Sequence, residues 1–153
     1  MTGPGGTPAQ PGAPDGGAGD PSGVIRASYA ELLGGIPPGI EDRLALAARA
    51  GRTDAVEAIE SLRRALVMDN PLGRRAGQLV HFGQLLALGK GGPARLHARA
   101  ARRAGASLAQ LLGVAKLALI TASMPAYSLG VEILTELARE DPGAASRSGA
   151  GPA

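Results

Sequence analysis

The segment GKGGPARLHARAARRAGAS, residues 89–107, gathers one histidine, one lysine and four arginines and contains no acidic residue. His97 is the group in it that titrates near neutrality, so it can both take and give a proton. On a helical wheel of about 100° per residue, Arg95, Arg99, Arg102 and Arg103 share one arc, which predicts a single solvated face. Leu96, Ala100, Ala101 and Ala104 fall on the opposite arc with His97 among them, so the imidazole is expected to point inward. A buried imidazole needs hydrogen-bond partners. The preceding apolar segment offers Gln78 and His81, one turn apart and off its main stripe of Leu72, Ala76, Leu79, Gly83 and Leu86. Two outcomes stay open on the residues alone. Either Gln78, His81 and His97 share a polar pocket, or His97 is a satisfied core histidine and His81 a surface one.

In such a pocket His97 would carry acid–base chemistry and Gln78 would donate an amide hydrogen bond to a developing oxyanion. Lys90, on the glycine-rich connection, is the candidate holder of a substrate carboxylate, with His81 and the hydroxyl of Tyr127 as further substrate contacts. Each has a plainer alternative: a helix-surface glutamine, an exposed loop lysine, an exposed histidine and a half-buried packing tyrosine. The chain has no cysteine, which excludes disulfides, thiolate metal sites and cysteine nucleophiles. Two histidines without clustered further ligands predict no metal site. GKGG lacks the Lys-Ser/Thr pair of a phosphate loop, and no cofactor is expected.

The elements that must position these groups read as helices. The chain has 153 residues, 44% hydrophobic but only 2% aromatic, so the core is built from Ala, Leu, Val and Ile. That composition favours close-packed helices in one domain. Residues 1–23 hold eight Gly and five Pro and, with residues 141–153, are expected to be disordered tails around a folded domain at 24–140. Within it, helical spacing predicts a short helix over 26–33 and five main helices. The first runs from about Pro38 to Ala50, closed by Gly51. The second is capped by Thr53 and reaches about Met68. The third opens at Asn70-Pro71 and ends at Leu88, and the fourth runs from Pro93 to Gly105. The fifth, capped by Ser107, extends to Ala122, where Met124-Pro125 interrupts before a final segment to about Glu140.

The stretch LVHFGQLLALGKGGPARLHARAARRAGASLAQLLGVAKLALITASMPAYSLGVEIL resembles the core of the carboxymuconolactone decarboxylase and alkylhydroperoxidase-like superfamily. The shared features are Ala87-Leu88-Gly89, His97, Ala100-Ala101, Gly105-Ala106-Ser107 and Pro125-Ala126 in that order. The resemblance spans roughly 70–136 and implies an all-α fold assembling as trimers or hexamers, with sites between helices. In peroxidase members a Cys-x-x-Cys precedes the histidine and a relay glutamate lies on the preceding helix. Those positions fall here on Lys90, Pro93 and Gln78, so thiol-based peroxide reduction cannot run. ALGKGGPARLHARAARRAG is closer to the decarboxylase version. It departs from that version at Pro93-Ala94, where an acidic residue is usual, and at Ser123, where a glycine is usual. The implied function is a cysteine-independent, non-redox lyase. It would use histidine acid–base chemistry to decarboxylate, isomerise or cyclise a small lactone or carbonyl substrate.

Two other classes compete with this reading. A catalytically silent oligomeric binding or scaffold protein would share the fold and differ only in the pocket. A helix-turn-helix DNA binder would place its turn at Gly113, but its second helix, AKLALITAS, lacks the arginine, asparagine or glutamine that reads bases. The formal charge is +3 and the pI about 9.9, with little aromatic surface for bases, so no nucleic-acid partner is expected. LAQLLGVAKLALITASM contains Lys116 and reads as too short and interrupted to span a bilayer. With no basic-then-apolar leader, the expectation is a cytoplasmic homo-oligomer acting on a small molecule. The apolar run Leu108–Ile120 is greasy almost all round, which predicts a central helix or one covered by a subunit partner.

Overall fold

The protein, seen in a computed structural model, is described over residues 20–140 as six helices, with no strand among the described residues. Helix α1 spans Pro21–Leu33. It starts earlier than residue 26 because Asp20-Pro21 is itself a start signal: Asp20 Oδ1 accepts from the Ser22 amide at 3.1 Å and Pro21 fills the first helical position. Residues 21–23, assigned to the leading tail by composition, are therefore helical. The rest of both expected tails lies outside the described residues. Gly34 ends α1 with φ +75°, where the Cβ of any other residue would also meet the Arg103 guanidinium at 2.5 Å.

Helix α2 covers Pro38–Arg49 and α3 covers Thr53–Met68. Thr53 does not cap α3: it is the first helical residue, Arg52 stands at the cap, and no side chain bonds there. Helix α4, Gly73–Ala87, starts later than Pro71 because Asn70 folds a turn ahead of it. Asn70 Oδ1 takes the Leu72 amide and its carbonyl takes the Gly73 amide, both at 2.9 Å. Helix α5, Gly91–Arg103, begins before Pro93. Proline is tolerated there because amides in the first turn have no helical partner to lose.

Helix α6, Leu108–Glu140, opens on a reciprocal cap: Gln110 N donates to Ser107 Oγ at 3.1 Å and Ser107 N to Gln110 Oε1 at 3.0 Å. Its two halves join through non-helical Ala122 and Ser123, the interruption expected just before Pro125. Gly113 lies inside an unbroken stretch, so the turn of a helix-turn-helix is not formed. By length and composition alone α6 is apolar enough to cross a membrane, but the non-helical Ala122 and Ser123 divide it in two. Its inner side packs on α4 and α5, whereas Leu117 and Ile120 stand 69% and 83% exposed.

Two apolar clusters organise the domain. One joins α4, α5 and α6 around Phe82, Leu86, Leu111 and Ile133; the other joins α1, α2 and α3 around Ile25, Tyr29, Leu32 and Leu44. Helix α5 serves both, burying Ala94, Ala98 and Ala101 in the first and Ala100 in the second. Alanine lets α4 and α6 approach it closely; Gly83 of α4 does the same against Val114 of α6, and Gly130 against Ala115 in the other half of α6 and Leu86 of α4. The stripe expected for α4 is rotated. Gln78, Phe82 and Leu86 are its buried residues, while Leu72 lies before the helix and is exposed. The one phenylalanine takes the core position because its ring removes the most apolar surface from water.

Candidate functional site

His97 sits on α5 at the seam between the two clusters, half-buried and facing α4. Its Nδ1 lies 2.7 Å from Gln78 Oε1. An amide oxygen only accepts, so Nδ1–H donates and the lone pair is left on Nε2. The ring of His81, one turn beyond Gln78, meets His97 edge-on with centroids 4.7 Å apart. Gln78 and His81 thus each meet His97. Burial, with help from the neighbouring His81 and the Arg63 guanidinium, pushes the His97 pKa down to about 4. At neutral pH the ring is an uncharged base.

A pocket of about 190 Å³ opens beside this chain of side chains, between α3, the turn at Asn70 and α4. Arg74, Gln78, His81 and Gln84 form its α4 wall, and Leu66 and Val67 its α3 wall. His81 borders the space directly, whereas His97 stands behind Gln78 and His81. Gln78 is buried, and its Nε2 has no protein partner among the described residues. Among those residues no group of three or more His, Asp or Glu side chains could hold a metal ion.

Lys90 and Tyr127 are not brought to this pocket. Lys90 is exposed at the α4–α5 turn, where its carbonyl takes the Ala94 amide at 2.9 Å. Seven residues of helix separate it from His97, about 10 Å of rise. Tyr127, on the second half of α6, is half-buried against the cluster around Phe82 and Ile133. The arginine face of α5 is also not simply solvated. Arg95 bonds Glu132 and Glu136, and Arg99 bonds Glu140, tying α5 to the far end of α6. These pairs raise the guanidinium pKa values and hold the Glu136 and Glu140 carboxyls below the usual range, chiefly through the side-chain hydrogen bonds.

Residues not singled out from the sequence complete the surroundings. Glu60 of α3 is only 5% exposed and accepts from Tyr29 Oη at 3.0 Å, Arg43 Nη1 at 3.1 Å and Arg63 Nε at 2.7 Å. The Arg63 guanidinium lies over the Tyr29 ring, 3.9 Å from its centroid, and burial raises the tyrosine pKa. This network fixes the cation that acts on His97. Its trace in the sequence is the stripe Val56, Glu60, Arg63 and Val67, in which a Glu–Arg pair interrupts an apolar face. Arg74, which lines the pocket, left a clearer one: it precedes Gln78 by four residues and His81 by seven, the spacing of one helical face.

With the geometry in view, comparison with known proteins places the chain. The model of the Carboxymuconolactone decarboxylase family matches residues 53–136, more than half the chain and all of α3, α4 and α5. The protein belongs to that family, as a member without cysteine. No curated protein and no solved structure matched it. The match begins at α3 and spans Gln78, His81, His97 and the residues lining their pocket, while α1 and α2 lie outside it.

Proposed function

We propose that the protein is a cysteine-independent, non-redox enzyme that uses the His81–His97 pair for acid–base chemistry on a small lactone or carbonyl compound. The observation that carries this reading is the continuous contact from Gln78 through His97 to His81, ending at a pocket. His81 meets the ligand. His97 is the positioning residue behind it, oriented by its donated hydrogen bond to Gln78 and kept neutral by burial. The free Nε2–H2 of Gln78 is available to a carbonyl oxygen as negative charge develops on it. In a decarboxylation the C–C bond electrons pass into the carbonyl as CO2 leaves, and the resulting enolate carbon takes a proton delivered from water through the His81 ring. In an isomerisation the neutral imidazole first removes the α-proton and later returns it at another carbon. Exposed Leu117 and Ile120 on α6 support assembly of several copies, which the family resemblance puts at three or six.

The test is exchange of α-protons into D2O, and CO2 release, over a panel of small ketones, lactones and β-keto acids followed by 1H NMR. A folded His81→Gln variant should lose turnover, and His97→Gln should lower it and shift its pH profile. Turnover unchanged in both variants would remove the histidine pair from the mechanism. The absence of turnover across the panel, with ligand binding intact, would favour a binding protein of the same fold.

A further inference from the structure

We propose that Arg74 is the anion seat of this pocket and that Glu31, reaching over from α1, is an internal carboxylate that the ligand displaces. The inference rests on the reading of the pocket as the reactive site and assigns its ligand a chemistry: a small compound with a carboxylate a few bonds from its reacting carbonyl. Arg74, Gln78 and His81 stand at i, i+4 and i+7 of α4 and all border the pocket. In order along the wall they offer a cation, an amide donor and an imidazole. A carboxylate held at the first puts a carbonyl at the second and a transferable proton at the third.

The seat already holds a carboxylate. Arg74 Nη2 donates to Glu31 Oε1 and touches Met68 Sδ at 3.9 Å, while Nε and Nη1 have no protein partner among the described residues. Both bidentate forks of a guanidinium include Nη2, paired with Nε or with Nη1, so a carboxylate gripped in one of them competes with Glu31 for that nitrogen. Arg74 and Glu31 are 47% and 55% exposed, so water and salt screen the pair and a ligand can replace it at little cost. Arg74 and Gln78 also wall a second, smaller space of about 100 Å³ on the α1 side, bordered by Glu31 and Leu32. A guanidinium released from Glu31 therefore has room on both sides. Glu31, on α1, lies outside the residues matched by the family, whereas Arg74 lies within them.

The probes are laevulinate, which carries a ketone and a carboxylate, and 2-pentanone, which lacks the carboxylate. Binding is read from the side-chain NMR shifts of His81 in the full chain. Wild type should bind laevulinate about five-fold or more tightly than 2-pentanone. Arg74→Gln should abolish that preference. Glu31→Gln should tighten laevulinate several-fold and leave 2-pentanone unchanged. Equal binding of both probes, or a laevulinate preference that survives Arg74→Gln, would overturn the seat while leaving the pocket reading intact. No perturbation of His81 by either probe would overturn both.

Discussion

Acidification tests the His97 environment most directly. In the folded protein its pKa is about 4, against an ordinary value of 6.5. Between these values the unfolded chain binds a proton that the folded chain does not, so stability must fall as pH drops through that window. A full unit of separation is worth about 1.4 kcal/mol. Integrated from pH 7 to pH 5 this gives about 2 kcal/mol, reduced to roughly 1–2 because the ring is only half-buried and solvent screens it. Stopping at pH 5 keeps the comparison above the range where Glu41, Glu136 and Glu140, with lowered pKa values, begin to protonate and add their own losses. Urea unfolding of wild type and His97→Gln at pH 7, 6 and 5 reads the effect. Wild type should lose about 1–2 kcal/mol more than the variant over that interval. The ring resonances of His97 should stay those of the Nδ1–H tautomer throughout. A His97 midpoint near 6.5, or equal pH slopes in the two proteins, would refute the buried neutral imidazole and the proton inventory built on it.

Two further outcomes follow from the packing. Ser123 has φ 66° and ψ −173°, a conformation that only glycine adopts without strain, at the position where the decarboxylase pattern carries glycine. Ser123→Gly should stabilise the protein by about 1 kcal/mol, seen as a higher thermal midpoint. Glu60→Gln should destabilise it by about 2 kcal/mol in urea unfolding, because the Arg43 and Arg63 guanidiniums and the Tyr29 hydroxyl lose one shared carboxylate. An unchanged denaturation midpoint would mean that water takes over those contacts.

By itself the sequence determined the helical class, the order of the helices and the break near Pro125. Apolar spacing of about 3.6 residues and the turn residues Gly34, Gly51 and Gly105 are local signals, and local geometry answers them. It left open whether Gln78, His81 and His97 meet, since a helix face with unpaired polar groups finds either another such face or water. Tertiary structure decided which imidazole borders the space and which stands behind it, because that depends on how α3 packs on α4. It likewise decided the long-range pairings: Glu60 with Tyr29 of α1, Glu31 with Arg74, and Arg95 with Glu132 and Glu136. Charges far apart in sequence carry no periodic signature of their partners. Lys90 takes the plainer of its two readings, an exposed lysine at the α4–α5 turn, about 10 Å of helix rise from His97.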